Sequence, residues 1–190
     1  MKYLNKDVRA FTSYGAGFLH ALVNEVHVSE AFDIKTQTDT PPQLVQFRAL
    51  WDTGATNTCI TNKIALQLGL KPSGKVIVAG VHGKKEVLTY LVNVFLPNGV
   101  AFPGVRATEA EINGADVLIG MDIIRTGDFA VSNFNGRTIF SFRFPSVEEI
   151  DFQREIGEAA RPFTLKAAHQ PKSKQERNRL KQQRRKNRGK

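Results

Sequence analysis

A single cysteine, Cys59, and a single tryptophan, Trp51, stand in a chain of 190 residues that also has only two methionines and three tyrosines. One cysteine excludes an internal disulfide and leaves a reducing, cytoplasmic setting as the simpler expectation. Cys59 has no second cysteine or histidine at metal or nucleophile spacing, and the histidines at 20, 27, 82 and 169 form no zinc pattern. No metal and no cofactor is therefore expected, and Cys59 reads as a small core residue. Long hydrophobic runs are missing as well. The N-terminus carries Lys2, Lys6, Asp7 and Arg9 without an uninterrupted apolar stretch, and no later segment approaches the ~20 apolar residues of a membrane span. The expectation is a soluble, unexported protein with no membrane partner.

Acidic residues are scarce at one end only. Eleven of the 27 basic residues but only one of the 18 acidic ones, Glu176, fall in residues 166–190; the rest of the chain holds 16 basic and 17 acidic groups. The formal charge of +9 is thus a property of the tail. Polar, basic and without aromatics, the tail reads as disordered in isolation. It suits RNA, DNA or an anionic surface through phosphate contacts but lacks aromatics that would stack bases; a solubilising extension and a segment cleaved in trans or on maturation are the other readings.

An apolar fraction of 41% is enough for a core. The patterning divides the chain into an N-terminal arm or edge strand (1–16), a folded domain (17–145), a linker or short acidic helix (146–165) and the basic tail (166–190). Within the domain, apolar residues alternate with polar ones over Phe18 to Phe32, with one slip near Asn24-Glu25, which predicts a strand with a bulge. Residues Leu44 to Trp51 alternate again, so that the two segments form an antiparallel pair. Thr61 can cap a short helix carrying Ile64 and Leu68. A glycine-hinged hairpin follows, Lys75 to Ala79 and Glu86 to Leu96 about Gly80-Val81-His82-Gly83, then strands at Val100 to Ala107 and Asp116 to Ile119, and one helical turn through Ile124. The last pair, Phe129 to Phe134 and Arg137 to Phe144, turns at Asn135-Gly136, a favoured type I′ sequence. Seven or eight short strands with one or two short helices predict an all-β barrel or sandwich.

Asp52-Thr53-Gly54-Ala55 directly follows the strand that ends at Trp51. Gly54 lets backbone approach the carboxylate, Ala55 keeps the floor open, and Thr53 offers a hydroxyl that can grip a second copy of the loop. Together with the hairpin some 28 residues on and Val117-Leu118-Ile119-Gly120-Met121-Asp122-Ile123-Ile124, this segment resembles the retropepsins, single-domain retroviral-type aspartic proteases, nearest to their cellular or bacterial branch. The resemblance covers roughly Phe18 to Phe144. It implies a small closed, mostly antiparallel barrel of the pepsin-like type, with Asp52 catalytic, Thr53, Gly54 and Ala55 in its loop, and Gly80, Val81, His82 and Gly83 at the tip of a flap over a peptide or protein substrate. The triplet occurs once, so the resemblance also implies a homodimer in which two Asp52 carboxylates activate a water to hydrolyse a peptide bond.

Two positions depart from the viral pattern. Thr56 and Met121 stand where viral members often carry an acid and an arginine that brace the dimer, which shifts the brace to the N-terminal arm, the helix near Ile123 or the Phe-rich last strand. Asp122 reads as a helix cap or loop brace rather than a second acid, Trp51 as a packing residue turned away from the carboxylate, and His82 as a solvated turn residue with substrate contact as the sharper alternative. The alternative function is a non-catalytic dimerisation or peptide-binding module whose basic tail recruits nucleic acid.

Overall fold

The computed structural model describes residues 7–33, 42–80 and 83–157. Ten strands run through them: β1 (Arg9–Tyr14), β2 (Val23–Glu30), β3 (Val45–Trp51), β4 (Cys59–Ile60), β5 (Gly74–Gly80), β6 (Gly83–Phe95), β7 (Ala101–Glu109), β8 (Val117–Ile119), β9 (Asp128–Ser132) and β10 (Ile139–Phe144). The helices are short, α1 (Asn62–Gln67), α2 (Met121–Ile124) and α3 (Phe152–Ile156). The fold is all-β. Contacts divide the chain into two units, Met1–Glu148 and Glu149–Lys190. The second contributes α3, whose first turn is capped by Asp151 accepting from the N–H groups of Gln153 and Arg154.

Six strands close on themselves. Hydrogen bonds run from β2 to β3, β8, β4, β7 and β6, and a further β6–β2 pairing completes the ring; β5 extends outward from β6. Two of these pairings, β3–β8 and β4–β7, are parallel and the others antiparallel. Closure removes the open edges that a flat sheet would leave. The period-two pattern then decides what lies inside: Phe47, Ala49 and Trp51 of β3, Val26 and Val28 of β2, and Tyr90, Val92 and Val94 of β6 are all buried.

Strand β2 differs from its sequence pattern. It begins at Val23 and pairs in step with β3, from Val23 opposite Leu50 to Val28 opposite Val45, without the expected bulge. The slip in alternation has another cause, because Phe18 to Leu22 is not strand but a separate segment. The irregularity sits between Val92 and Val94 in the β6–β7 pairing. There the fully buried Asn93 accepts from Gly104 N–H, which the ladder leaves unpaired, and donates to the Phe32 carbonyl beyond the end of β2.

A second, three-stranded sheet in the order β1-β10-β9 stands apart from the ring. The N-terminal segment thus contributes a paired strand, with Phe11 opposite Phe142. Asn135 and Gly136 take the left-handed backbone (φ 53° and 74°) that a type I′ turn requires, but pairing stops at Ser132 and Ile139, so the connection is longer than a two-residue turn. Phe140 and Phe142 are fully buried against Phe11, Phe129 and Trp51.

Asp128 opens β9 and ties down the chain beyond β10. Burial alone would push its carboxyl up, but the hydroxyl of Ser146, the N–H of Val147 and the Arg143 guanidinium hold it below the usual carboxylate range. A carboxylate whose pKa is lowered on folding stabilises the protein above its unfolded value and loses that contribution as pH falls. Thermal melts of the wild type are therefore expected to lose stability below about pH 4, and Asp128→Asn, less stable at neutral pH, to show a flatter acid limb. Parallel pH profiles of the two proteins would contradict this.

Candidate active site

The acid loop grows out of two parallel strands. Trp51 of β3 lies opposite Ile119 of β8, and Asp52 N–H donates to the Ile119 carbonyl at 3.0 Å. Past that point the chain turns, with Ala55 N–H returning to the Asp52 carbonyl at 3.2 Å. Inside the turn, Gly54 N–H donates to Asp52 Oδ1 at 2.8 Å. A Cβ at Gly54 would stand 3.2 Å from that same oxygen, so glycine is what allows the amide to come so close. Asp52 is partly exposed, while Thr53 and Gly54 are exposed. The Thr53 hydroxyl has no hydrogen-bond partner among the described residues.

The loop is held from below by residues far away in sequence. Met121 N–H donates to the Ala55 carbonyl (2.8 Å) and Asp122 N–H to the Thr56 carbonyl (3.1 Å). Asp122 accepts in return from Thr58 N–H at 3.0 Å and Thr58 Oγ1–H at 2.8 Å, and Thr58 Oγ1 accepts from Gly120 N–H at 3.3 Å. Asp122 is thus a brace; the N-cap position of α2 belongs to Gly120. Thr58, fully buried, is the residue that reading the sequence missed. Its only signal was a hydroxyl six positions after the acid at the entrance to an apolar strand.

Above the brace, Trp51 points into the core. It is 4% exposed, stacks on Phe129 with centroids 5.4 Å apart and planes 7° off parallel, meets Phe142 at 5.1 Å, and donates its indole N–H to Asn24 Oδ1 at 2.6 Å. Aromatic pairs of this kind contribute roughly 0.5–1.5 kcal/mol each beyond their burial. The residue preceding the acid therefore fastens the loop to the three-stranded sheet. Cys59 is half-buried rather than fully buried: burial, with the nearby carboxylates of Asp122 and Asp52, pushes its thiol up to about 11. It stays protonated and unreactive at neutral pH.

Of the four residues expected at a flap tip, Gly80 and Gly83 pair with each other at the end of the β5–β6 ribbon, with Gly83 at φ 104°, whereas Val81 and His82 lie outside the described residues. Ile77 of the ribbon is 66% exposed, and Val76 and Val78 on the opposite face are about 40% exposed. The basic tail, 166–190, also lies outside the described residues, and nothing supports a nucleic-acid partner. A cavity of about 690 Å³ lies between the start of α1, the ribbon and residues 109–113, and Asp52 does not line it. Asp52 lines a smaller one of about 330 Å³ with Leu19–Leu22, Leu50 and Trp51. Among the described residues no helix is long and apolar enough to cross a membrane, and no cluster of His, Cys, Asp or Glu is placed to hold a metal ion.

A closed β ring with an Asp-Thr-Gly turn laced to a Gly-Met-Asp segment fits a retropepsin-like fold. Residues 43–126, from just before β3 to just past α2, match the family described as "gag-polyprotein putative aspartyl protease", and this supports a protease at the level of the family. No curated protein matches the chain significantly. Among solved structures, similarity extends to a retropepsin-like aspartic protease from Rickettsia conorii (15% identity, 72% of this chain and 95% of that one, TM-score 0.44). It extends also to the EIAV protease complexed with the inhibitor HBY-793 (19% identity, 55% and 86%, TM-score 0.41).

Proposed function

We propose that the chain is an aspartic endopeptidase that works as a homodimer, each copy supplying one Asp52. The observation that carries this reading is the acid loop itself: a partly exposed carboxylate fixed by the Gly54 amide, on a turn braced by Thr58 and Asp122. One carboxylate is half of the machinery. Two held in contact share a proton, because both cannot ionise at close range, and the pair then contains a base and an acid together. The ionised member takes a proton from a water that attacks the peptide carbonyl; the protonated member donates to the carbonyl oxygen, and a proton passes to the amine as the C–N bond breaks.

Among the described residues, the exposed Thr53, without a hydrogen-bond partner, and the unpaired outer edges of the β1-β10-β9 sheet support pairing of two copies, in place of the acid and arginine absent at Thr56 and Met121. That sheet is the platform best connected to the acid, through Phe129 stacked on Trp51. The lone cysteine supports a reducing, cytoplasmic setting. The reading is tested by incubating the full chain with a peptide library from pH 3 to 7.5 while following its mass by sedimentation. Cleavage per subunit is expected to rise with protein concentration until dimer predominates. Absence of cleavage from a protein that is demonstrably dimeric would overturn it, in favour of a peptide-binding module.

A further inference from the structure

Leu19 to Leu22 are not part of any strand, yet they are firmly placed. Upstream, Thr138 N–H donates to the Gly17 carbonyl (2.9 Å) and Leu19 N–H to Thr138 Oγ1 (3.0 Å); downstream, Trp51 N–H donates to the Leu22 carbonyl (2.9 Å). The Thr138 hydroxyl is in turn anchored on Asn133 Oδ1, and Thr138 is 2% exposed. This strap forms one wall of the 330 Å³ cavity, and Leu50, Trp51 and Asp52 form the other. The cavity volume lies at the small end of the range of ligand pockets, with room for one side chain of a bound peptide. Its walls are apolar apart from two titratable groups, Asp52 and His20. His20 is exposed and makes no hydrogen bond or ion pair among the described residues.

We infer that this cavity seats one substrate side chain beside the bond to be cut, and that His20, held on the anchored strap in the same cavity as Asp52, makes an acidic side chain the preferred occupant when the imidazole is protonated. The inference rests on the protease reading above. An unpartnered imidazolium attracts a carboxylate, and substrate binding would exclude water from the pair. Asp52, the one other charged group among the described residues lining the cavity, opposes the same carboxylate. The preference therefore requires a protonated imidazole facing an ionised occupant. Once the imidazole is neutral, the repulsion by Asp52 is left unopposed, and the preference vanishes or reverses.

The test uses the full chain and peptides in which Glu or Gln is placed in turn at each position flanking the cleaved bond. At pH 5.5 one position is expected to show a Glu-to-Gln ratio in kcat/KM of about fivefold, the scale of a modest ion pair. The ratio should fall to one or below at pH 7.5. In His20→Gln it should stay near one at both pH values, and in His20→Lys it should persist at pH 7.5. A ratio that is the same in wild type and His20→Gln, with peptides still cut, overturns this inference and leaves the protease reading intact. Uncleavable reduced-amide versions of the same Glu and Gln peptides, titrated by calorimetry, give an answer that needs no turnover. If they bind with the fivefold difference while nothing is cleaved, the protease reading fails and the role of His20 stands; if neither binds, the inference fails.

Discussion

Asp52→Asn is expected to lower kcat by at least about 10³-fold while leaving the melting temperature within about 2 °C of wild type. The kinetic figure follows from the loss of both a base and an acid, each of which is worth roughly 10² to 10⁴ in positioned proton transfer. The thermal figure follows from what asparagine keeps. Its Oδ1 still accepts from Gly54 N–H, the bond that shapes the turn at 2.8 Å, and Asp52 is partly exposed, so no buried charge is created or stranded. The same substitution reports on the partnership. If the site is built from two copies, a tenfold excess of Asp52→Asn subunits traps most wild-type subunits in mixed dimers, and wild-type activity should fall to roughly a tenth after exchange. Activity that merely dilutes in proportion to the wild-type protein added would show that one copy suffices. Measurements of kcat, melting curves and subunit mixing together separate a catalytic carboxylate from a structural one.

What could be read from the residues and what could not divides along the range of the interactions. Asp52-Thr53-Gly54, the alternation that buries Phe47, Ala49 and Trp51, and the two glycines that end β5 and begin β6 are local features, so a period of two and a turn signal suffice to place them. Partners are another matter. Nothing in Val117-Leu118-Ile119 says that it pairs in parallel with β3, and nothing near Thr58 says that its hydroxyl stands between Gly120 and Asp122, more than 60 residues away. The segment Phe18 to Leu22 misled because its apolar residues are spaced as in a strand, while its hydrogen bonds go to Thr138 and Trp51 instead of a ladder. Asn93 is silent for the same reason as Thr58: nothing in the sequence says that this polar residue is buried at the β6–β7 bulge, accepting from Gly104 N–H and donating to the Phe32 carbonyl. Alternation identifies a face; only the closed ring identifies what the face meets.

Gly120→Ala should be severely damaging although it removes no functional group. The backbone at Gly120 is extended (φ −94°, ψ −176°), which any residue can adopt, so the demand for glycine is one of space rather than of conformation. A Cβ there would stand 2.5 Å from the Asn57 carbonyl carbon, 2.6 Å from its oxygen and 3.0 Å from Thr58 N. All three are backbone atoms, and no side-chain rotation relieves the clash. The strand entrance at 57–58 must move away from the 120–122 segment, and that motion pulls on the Thr58–Asp122 and Gly120–Thr58 bonds together. Overpacking of this kind costs about 3 kcal/mol, or roughly 10 °C in melting temperature for a chain of this size. Turnover should fall further than stability predicts, by about 10² under conditions where the variant is still folded, because the floor that sets the height of Asp52 is displaced and near-attack geometry tolerates little more than an ångström. Gly17→Ala is the control, since a Cβ there meets nothing within 4 Å and its φ is not left-handed. It should change stability by less than about 0.5 kcal/mol. If Gly120→Ala melts and cleaves like Gly17→Ala, the contact between the acid loop and the Gly-Met-Asp segment is not what holds the site in place.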